Sequence, residues 1–185
     1  MRNAPARSSM SPLVLALAIT VASVAAPAST AHAYERQLGV FVGAGYTGIA
    51  TSTPYPPHAV AASVGVGVGL GDVWELRGHL DYGFHVSAMH RLGLGVDLVY
   101  LVDVLSVVPY LGVSVSGALS LLDPSLAMGD LRGDFLAGGL AGLDVLIGRE
   151  WTIGVEVRVN VGVTDFDRAG LLITGLCRAQ ALFEI

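Results

Sequence analysis

The segment Trp151–Val163 alternates without exception between apolar residues and polar or small ones. Its odd-numbered positions carry Trp, Ile or Val, and its even-numbered positions carry Thr, Gly, Glu, Arg or Asn. A period of two places these sets on opposite faces only in a β-strand, because helical spacing would scatter them around the axis. The same alternation runs through Trp74–Phe84. Both segments are therefore predicted to be strands.

Weaker copies of this pattern fill the rest of the chain after residue 36. They predict further strands at Gln37–Tyr46, His58–Leu70, Arg91–Leu101, Val108–Leu119, Asp134–Ile147 and Leu171–Ile185. With the two clear segments this makes eight strands, an even number, and their length suits a tilted membrane strand of about 9–11 residues. The fold class expected is all-β, an eight-stranded antiparallel up-and-down transmembrane β-barrel.

The predicted connections alternate between short and long. The short ones are Gly71–Asp72, the residues around Asp103, and Gly148–Glu150. The longer ones are Ile49–Pro57, Ser120–Gly133 and Thr164–Gly170, with the stretch His85–His90 as a modest exception. Short turns at one end and longer loops at the other, with both termini at the short-turn end, are typical of outer-membrane barrels.

Residues that pair directly across an antiparallel ladder must point to the same face of the sheet. Pairing Leu70 with Trp74, and Ile147 with Trp151, satisfies this rule and leaves three-residue turns that each contain a glycine. The first register also sets glycines opposite long polar side chains, where they would make room for them. These pairs are Gly69 with Glu75, Gly67 with Arg77, and Gly65 with His79.

Composition excludes several classes of protein. Only 14% of the 185 residues are charged and 53% are hydrophobic, with 24 glycines and a net charge of -5. All 10 basic residues are Arg, and they form no basic patch, so nucleic acid is not an expected partner. The single cysteine, Cys177, excludes an internal disulfide and a Cys-rich zinc site.

The first 33 residues have the features of a cleaved secretory signal peptide. Arg2 and Arg7 precede the uncharged stretch Leu13–Ala26, and Ala31 and Ala33 supply the small residues that a signal peptidase reads. The predicted domains are therefore a signal peptide at residues 1–33 and a barrel at residues 34–185.

Aromatic residues are predicted to lie at both ends of the strands, with aliphatic residues and glycine between them. The short-turn end carries Trp74, Tyr100, Trp151 and Phe183, and the long-loop end carries Tyr46, Tyr82, Phe84 and Phe135. Two aromatic girdles around an aliphatic band are typical of a membrane barrel, whereas a soluble core has no reason to sort its aromatics in this way.

The opposite face is predicted to line the lumen with charges of both signs. Its members are Glu75, Arg77, His79, Asp81, Arg91, Asp97, Asp134, Asp144, Glu156, Arg158 and Arg178, together with Asn160, Gln180 and Glu184. Side chains just fill the interior of an eight-stranded barrel, so we expect these groups to pair with one another. At most they would line a narrow pore.

These features resemble the small outer-membrane barrels of the OmpA, OmpX and OmpW type. The resemblance implies a Gram-negative outer-membrane location, contact with lipid and lipopolysaccharide, a monomeric state, and a structural or surface-interaction role. It also implies recognition by the barrel-assembly machinery through the C-terminal strand. Arg178 and Phe183 match that signal, whereas Gln180 stands in place of a glycine and Ile185 is not aromatic.

Three other interpretations remain open. Val104–Leu122 has no charged residue and could be a membrane helix of an inner-membrane protein. A soluble periplasmic barrel that binds an apolar ligand would share the alternation. His85 and Ser87, with Asp97 nearby, loosely resemble the His-x-Ser of outer-membrane lipid A deacylases, but the surrounding motif is missing. We expect no catalytic, cofactor or metal site.

Overall fold

The computed structural model describes residues 37–50, 58–85, 89–102, 106–122, 131–164 and 170–184. The predicted signal peptide, Ser87, Ile185 and most of the longer loops lie outside these ranges. The described residues form eight strands and no helix. The strands are β1 Gln37–Ala50, β2 His58–Gly69, β3 Trp74–His85, β4 Met89–Leu101, β5 Val107–Leu122, β6 Leu131–Ile147, β7 Trp151–Gly162 and β8 Leu171–Glu184.

The strands form a closed antiparallel barrel in sequence order, so the predicted fold class is confirmed. Each strand pairs with the next along the chain, and β8 pairs with β1. Following paired residues once around the barrel from Gly39 leads to Ile49, ten residues further along β1. With eight strands, this stagger corresponds to a strand tilt of about 40° and an interior that side chains can fill.

Several strands are longer than predicted, mainly at the long-loop end. β1 continues to Ala50, β5 to Leu122, and β6 begins at Leu131. The pairing of β5 with β6 runs on to Leu121 and Leu131. Backbone hydrogen bonds need no alternation of side chains, so a ladder continues where the sequence pattern has already faded.

The possible membrane helix over Val104–Leu122 is wrong, because Val107–Leu122 is strand β5. Among the described residues, no helix has the length and apolar character needed to cross a membrane.

Both predicted short turns have the expected register. The Leu70 amide donates to the Trp74 carbonyl at 2.7 Å, and Ile147 pairs with Trp151. Gly71 and Gly148 have φ of 128° and 73°, in the region that side chains disfavour. Each glycine thus allows a tight reversal at the short-turn end.

The barrel has a polar interior and an apolar exterior. Along β7 every even-numbered residue from Thr152 to Asn160 is buried, and every odd-numbered residue from Trp151 to Val161 is exposed.

The polar interior also contains two apolar clusters, at different heights along the barrel axis. An apolar cluster near the short-turn end contains Val99, Leu101, Val108, Tyr110, Leu140, Leu182 and the partly buried Leu146. A smaller cluster towards the long loops contains Ala118, Leu136, Leu172 and Ile49.

The turn glycine at Gly148 should be sensitive to substitution. We expect Gly148→Ala to lower the free energy of unfolding by about 1 kcal/mol, because a Cβ disfavours this positive φ. The measurement is urea unfolding in detergent, followed by tryptophan fluorescence.

Gly78→Ala is the matched control, since a Cβ there meets nothing within 4 Å and the φ is not positive. It should leave stability unchanged or raise it by less than about 1 kcal/mol. Equal losses in the two variants would contradict the conformational explanation.

Candidate functional site

The carboxylate of Glu156 lies in the middle of the lumen and joins four strands. Its Oε1 accepts from Arg158 Nε at 2.6 Å. Its Oε2 accepts from Arg178 Nη1 at 2.9 Å, Arg77 Nη1 at 3.1 Å and the Tyr110 hydroxyl at 2.9 Å. The Glu156 side chain is fully buried, so these partners replace the water that the carboxylate would otherwise bind. One acidic group thus neutralises part of the charge of each arginine.

Arg158 connects Glu156 to two further carboxylates, those of Asp81 and Asp97. Its Nη1 donates to Asp81 at 3.1 Å, and its Nη2 lies 3.5 Å from Asp97. His79 lies between the same two carboxylates, 3.0 Å from Asp97 through Nδ1 and 3.4 Å from Asp81 through Nε2. Ser63 donates to the other oxygen of Asp81 at 2.6 Å. The ionic contacts therefore continue from β7 to β2, β3 and β4.

The arginines make further contacts towards the short-turn end. Arg77 donates to Glu75 at 2.7 Å, and Arg178 donates to Gln180 at 2.6 Å. The Arg77 guanidinium lies 4.5 Å from the ring centre of Tyr110. The guanidinium groups are thus surrounded by carboxylate, amide and aromatic groups.

The structure places most of the predicted lumen residues inside the barrel. Those buried there are Glu75, Arg77, His79, Asp97, Asp144, Glu156, Asn160, Arg158, Arg178 and Gln180. Asp81, Arg91 and Asp134 are half-buried on the inward face towards the long loops. Glu184 has the inward parity of β8 but is exposed, because it ends the strand where the wall of the barrel stops.

Asp144 is buried without joining the ion-pair network. It is 1% exposed, and among the described residues it has no ion pair and its Oδ1 has no hydrogen-bond partner. Its side chain leans over Gly154, where an added Cβ would overlap Oδ1. Arg178 pairs with the same glycine from the other side, and its Nε also has no partner among the described residues.

Two aromatic side chains of the lumen were not anticipated from the sequence. Phe41 is 1% exposed and lies 4.5 Å from the Arg178 guanidinium, and Tyr110 donates to Glu156. Parity could have identified both. Phe41 alternates with the outward Val40 and Val42, and Tyr110 shares its parity with the buried Ser114.

The predicted use of glycine holds in part. A Cβ at Gly67 would lie 3.4 Å from Arg77, as the register suggests, but it would first overlap the carboxylate of Glu75, whose predicted partner is Gly69. Gly65 instead makes room for Phe41, and the space for His79 comes from Gly95 on the other neighbouring strand. The predicted match of Gly65 with His79 is therefore correct as a backbone pair and wrong as a packing contact.

All the predicted girdle residues point outward. Trp74, Tyr100, Trp151 and Phe183 at one end, and Tyr46, Tyr82, Phe84 and Phe135 at the other, are between 37% and 54% exposed. Trp74 and Phe84 are ten residues apart on β3. At about 3.3 Å per residue and a tilt of about 40°, this separation gives about 25 Å along the axis. That distance equals the apolar band of outer-membrane barrels, also about 25 Å.

Solved structures with similar architecture are outer-membrane proteins. Neisserial surface protein A aligns with a TM-score of 0.60 and 15% identity, over 80% of this chain and 97% of that chain. The N-terminal β-barrel domain of Pseudomonas aeruginosa OprF gives 0.59 and 16%, over 80% and 98%. The attachment invasion locus protein Ail of Yersinia pestis gives 0.55 and 12%, over 80% and 99%.

The fold is that of the small eight-stranded outer-membrane barrels. At these identities the likeness concerns the fold alone. No family model matches the chain, and no curated protein matches it.

Removing the Glu156 charge should destabilise the barrel more than removing any surface charge. We expect Glu156→Gln to lower the free energy of unfolding by about 3–5 kcal/mol, because the arginines around it would lose their shared partner inside the lumen. Urea titration of the detergent-folded chain measures this.

Glu184→Gln provides the control, since it makes the same chemical change at an exposed strand end. Its effect should stay within about 0.5 kcal/mol. If both variants were equally stable, Glu156 would not be the centre of the network.

Proposed function

We propose that the chain is an integral protein of a bacterial outer membrane, with a structural or surface-interaction role and no catalytic activity. The observation that carries the proposal is the reversed polarity of the barrel. Arg77, Arg158 and Glu156 are at most 1% exposed, while valine and leucine side chains around the outside are roughly half exposed.

This distribution favours lipid over water as the surrounding medium. Soluble monomers rarely expose a contiguous apolar surface of more than a few hundred Å². Here the exposed apolar side chains follow every strand from one girdle to the other. A closed barrel also leaves no strand edge unpaired, as the hydrocarbon core of a membrane requires. A periplasmic carrier of apolar ligands would need the opposite arrangement, with an apolar cavity inside.

The side chains inside the lumen favour a blocked lumen over a conducting pore. The ionic contacts around Glu156 cross the interior between β3, β5, β7 and β8. Towards the short turns, the apolar cluster with Leu101, Leu140 and Leu182 fills the space. Ions would have to pass both layers, and apolar packing excludes hydrated ions.

Orientation and assembly follow from the same arrangement. In outer-membrane barrels the short turns and both termini face the periplasm. The predicted signal peptide at residues 1–33 would deliver the chain there, and β8 would present Phe183 to the barrel-assembly machinery. The long loops would then meet lipopolysaccharide, and full closure makes a monomer sufficient.

Cell fractionation tests the proposal directly. The full chain, expressed in a Gram-negative host, should be recovered in the outer-membrane fraction with Tyr34 as its N-terminal residue. Its unboiled form should migrate differently from its boiled form on a gel, because a folded barrel resists detergent. Recovery in the soluble periplasmic fraction would contradict the proposal.

Conductance measurements test whether the lumen is blocked to ions. In planar bilayers the wild-type barrel should give no steady current, whereas Tyr110→Ala should give small current steps. That substitution removes a ring that belongs to both the apolar cluster and the Glu156 contacts. Tyr100→Ala removes an outward ring and should stay silent. Steady wild-type current would show that the lumen conducts.

A further inference from the structure

The outward surface of β1–β4 carries two tyrosine–histidine pairs at the long-loop end. The Tyr46 hydroxyl is hydrogen-bonded to His58 Nδ1, with ring centres 5.5 Å apart. The Tyr82 hydroxyl is 2.6 Å from His90 Nδ1, and His90 also contacts Phe84 at a ring distance of 5.4 Å. We call Tyr46, His58, Tyr82, Phe84 and His90 the Tyr-His patch.

The register makes this patch continuous. Tyr46, Val60, Phe84 and His90 pair in turn across the four strands, so they lie in one row. His58 lies two residues from Val60 on the same face, next to Tyr46. His58 and His90 are thus two strand spacings apart and offset by two residues, which puts their Cα atoms about 12 Å apart.

Both imidazoles use Nδ1 in the hydrogen bond to tyrosine. A neutral tyrosine–histidine pair carries two polar hydrogens, one on the hydroxyl and one on the imidazole, and the bond between the two rings uses one of them. The imidazolium form carries one hydrogen more and a positive charge. Each pair therefore keeps one donor, on His Nε2 or on the tyrosine hydroxyl, for a group outside the pair.

The patch differs from the rest of the outer surface. On the outward faces of the described strands, His58 and His90 are the side chains that can become cationic, and no Asp, Glu or Arg points outward there. At the same level, the outward residues described on β5–β8 are apolar, among them Leu119, Phe135, Val161 and Ile173. The donors are thus confined to one side of the barrel.

We propose that the Tyr-His patch binds the phosphate of a membrane lipid headgroup. The inference rests on the proposed membrane location, which puts this girdle at the level where acyl chains end and headgroups begin. Phosphate oxygens accept charge-assisted hydrogen bonds, and the rings of Phe84 and Tyr82 offer an apolar platform for the upper part of the acyl chains. Nearby carboxylates, such as Asp81, point into the lumen and do not oppose an anion on the outside.

The test compares two lipids with identical dioleoyl chains by native mass spectrometry of the full chain folded in detergent. Phosphatidic acid carries a phosphate, and diacylglycerol lacks it. We expect wild-type protein to bind phosphatidic acid about tenfold more tightly, the effect of roughly one charge-assisted hydrogen bond. His58→Phe combined with His90→Phe keeps an outward ring at both positions and should abolish the preference. Tyr100→Phe, in the opposite girdle, should preserve it.

The outcomes separate this inference from the proposed function. A gel mobility shift on the same samples reports whether the barrel is folded. Equal affinity of folded wild-type protein for both lipids overturns the patch inference alone, even if the double histidine variant fails to fold. Equal preference in the wild type and in the folded double variant does the same. A protein dimer that the double variant loses, without any lipid preference, would assign the patch to a second copy of the chain.

Discussion

Closing eight strands into a barrel pairs the polar groups of the strand backbones in ladders and leaves a narrow interior. Because β8 pairs with β1 over its whole length, no strand edge remains for water or another chain to satisfy. The ten-residue stagger then sets an interior that only side chains can fill. In this chain many of the side chains that fill the interior are charged, and the outward surface carries valine, leucine and aromatic residues.

Burying so many charges is costly unless each has partners, and the network around Glu156 provides them. Its carboxylate serves Arg77, Arg158 and Arg178 at once, so the strands that carry these residues are held in one arrangement. Glycines on the inner wall allow this crowding, as Gly67 does for Glu75 and Gly154 does for Asp144. The described interior is therefore a polar core with an apolar cluster towards the short turns.

The sequence alone predicted the barrel well because its main signal is a period of two, which survives in every strand. The turns at Gly71 and Gly148, and the register of β2 with β3, followed from parity alone. Parity also placed Arg77 and Glu156 on one face, but it could not say that they touch, because contacts across a lumen depend on stagger and side-chain conformation. The sequence pattern did not assign Phe41 and Tyr110 to either face, although their parity places both inside the barrel.

The molecule combines a polar core with a surface that varies around the barrel, with paired tyrosine and histidine on β1–β4. The outward faces of the strands are expected to contact lipid. Spin labels at Trp151, Ile153, Val155, Val157 and Val161 of β7, placed one at a time in a Cys177→Ala background, would test this in reconstituted vesicles. The ratio of collisions with oxygen to collisions with a water-soluble nickel complex should peak at Val155 and Val157 and fall towards both ends. A ratio that stays low and flat along β7 would place this face in water and contradict the account.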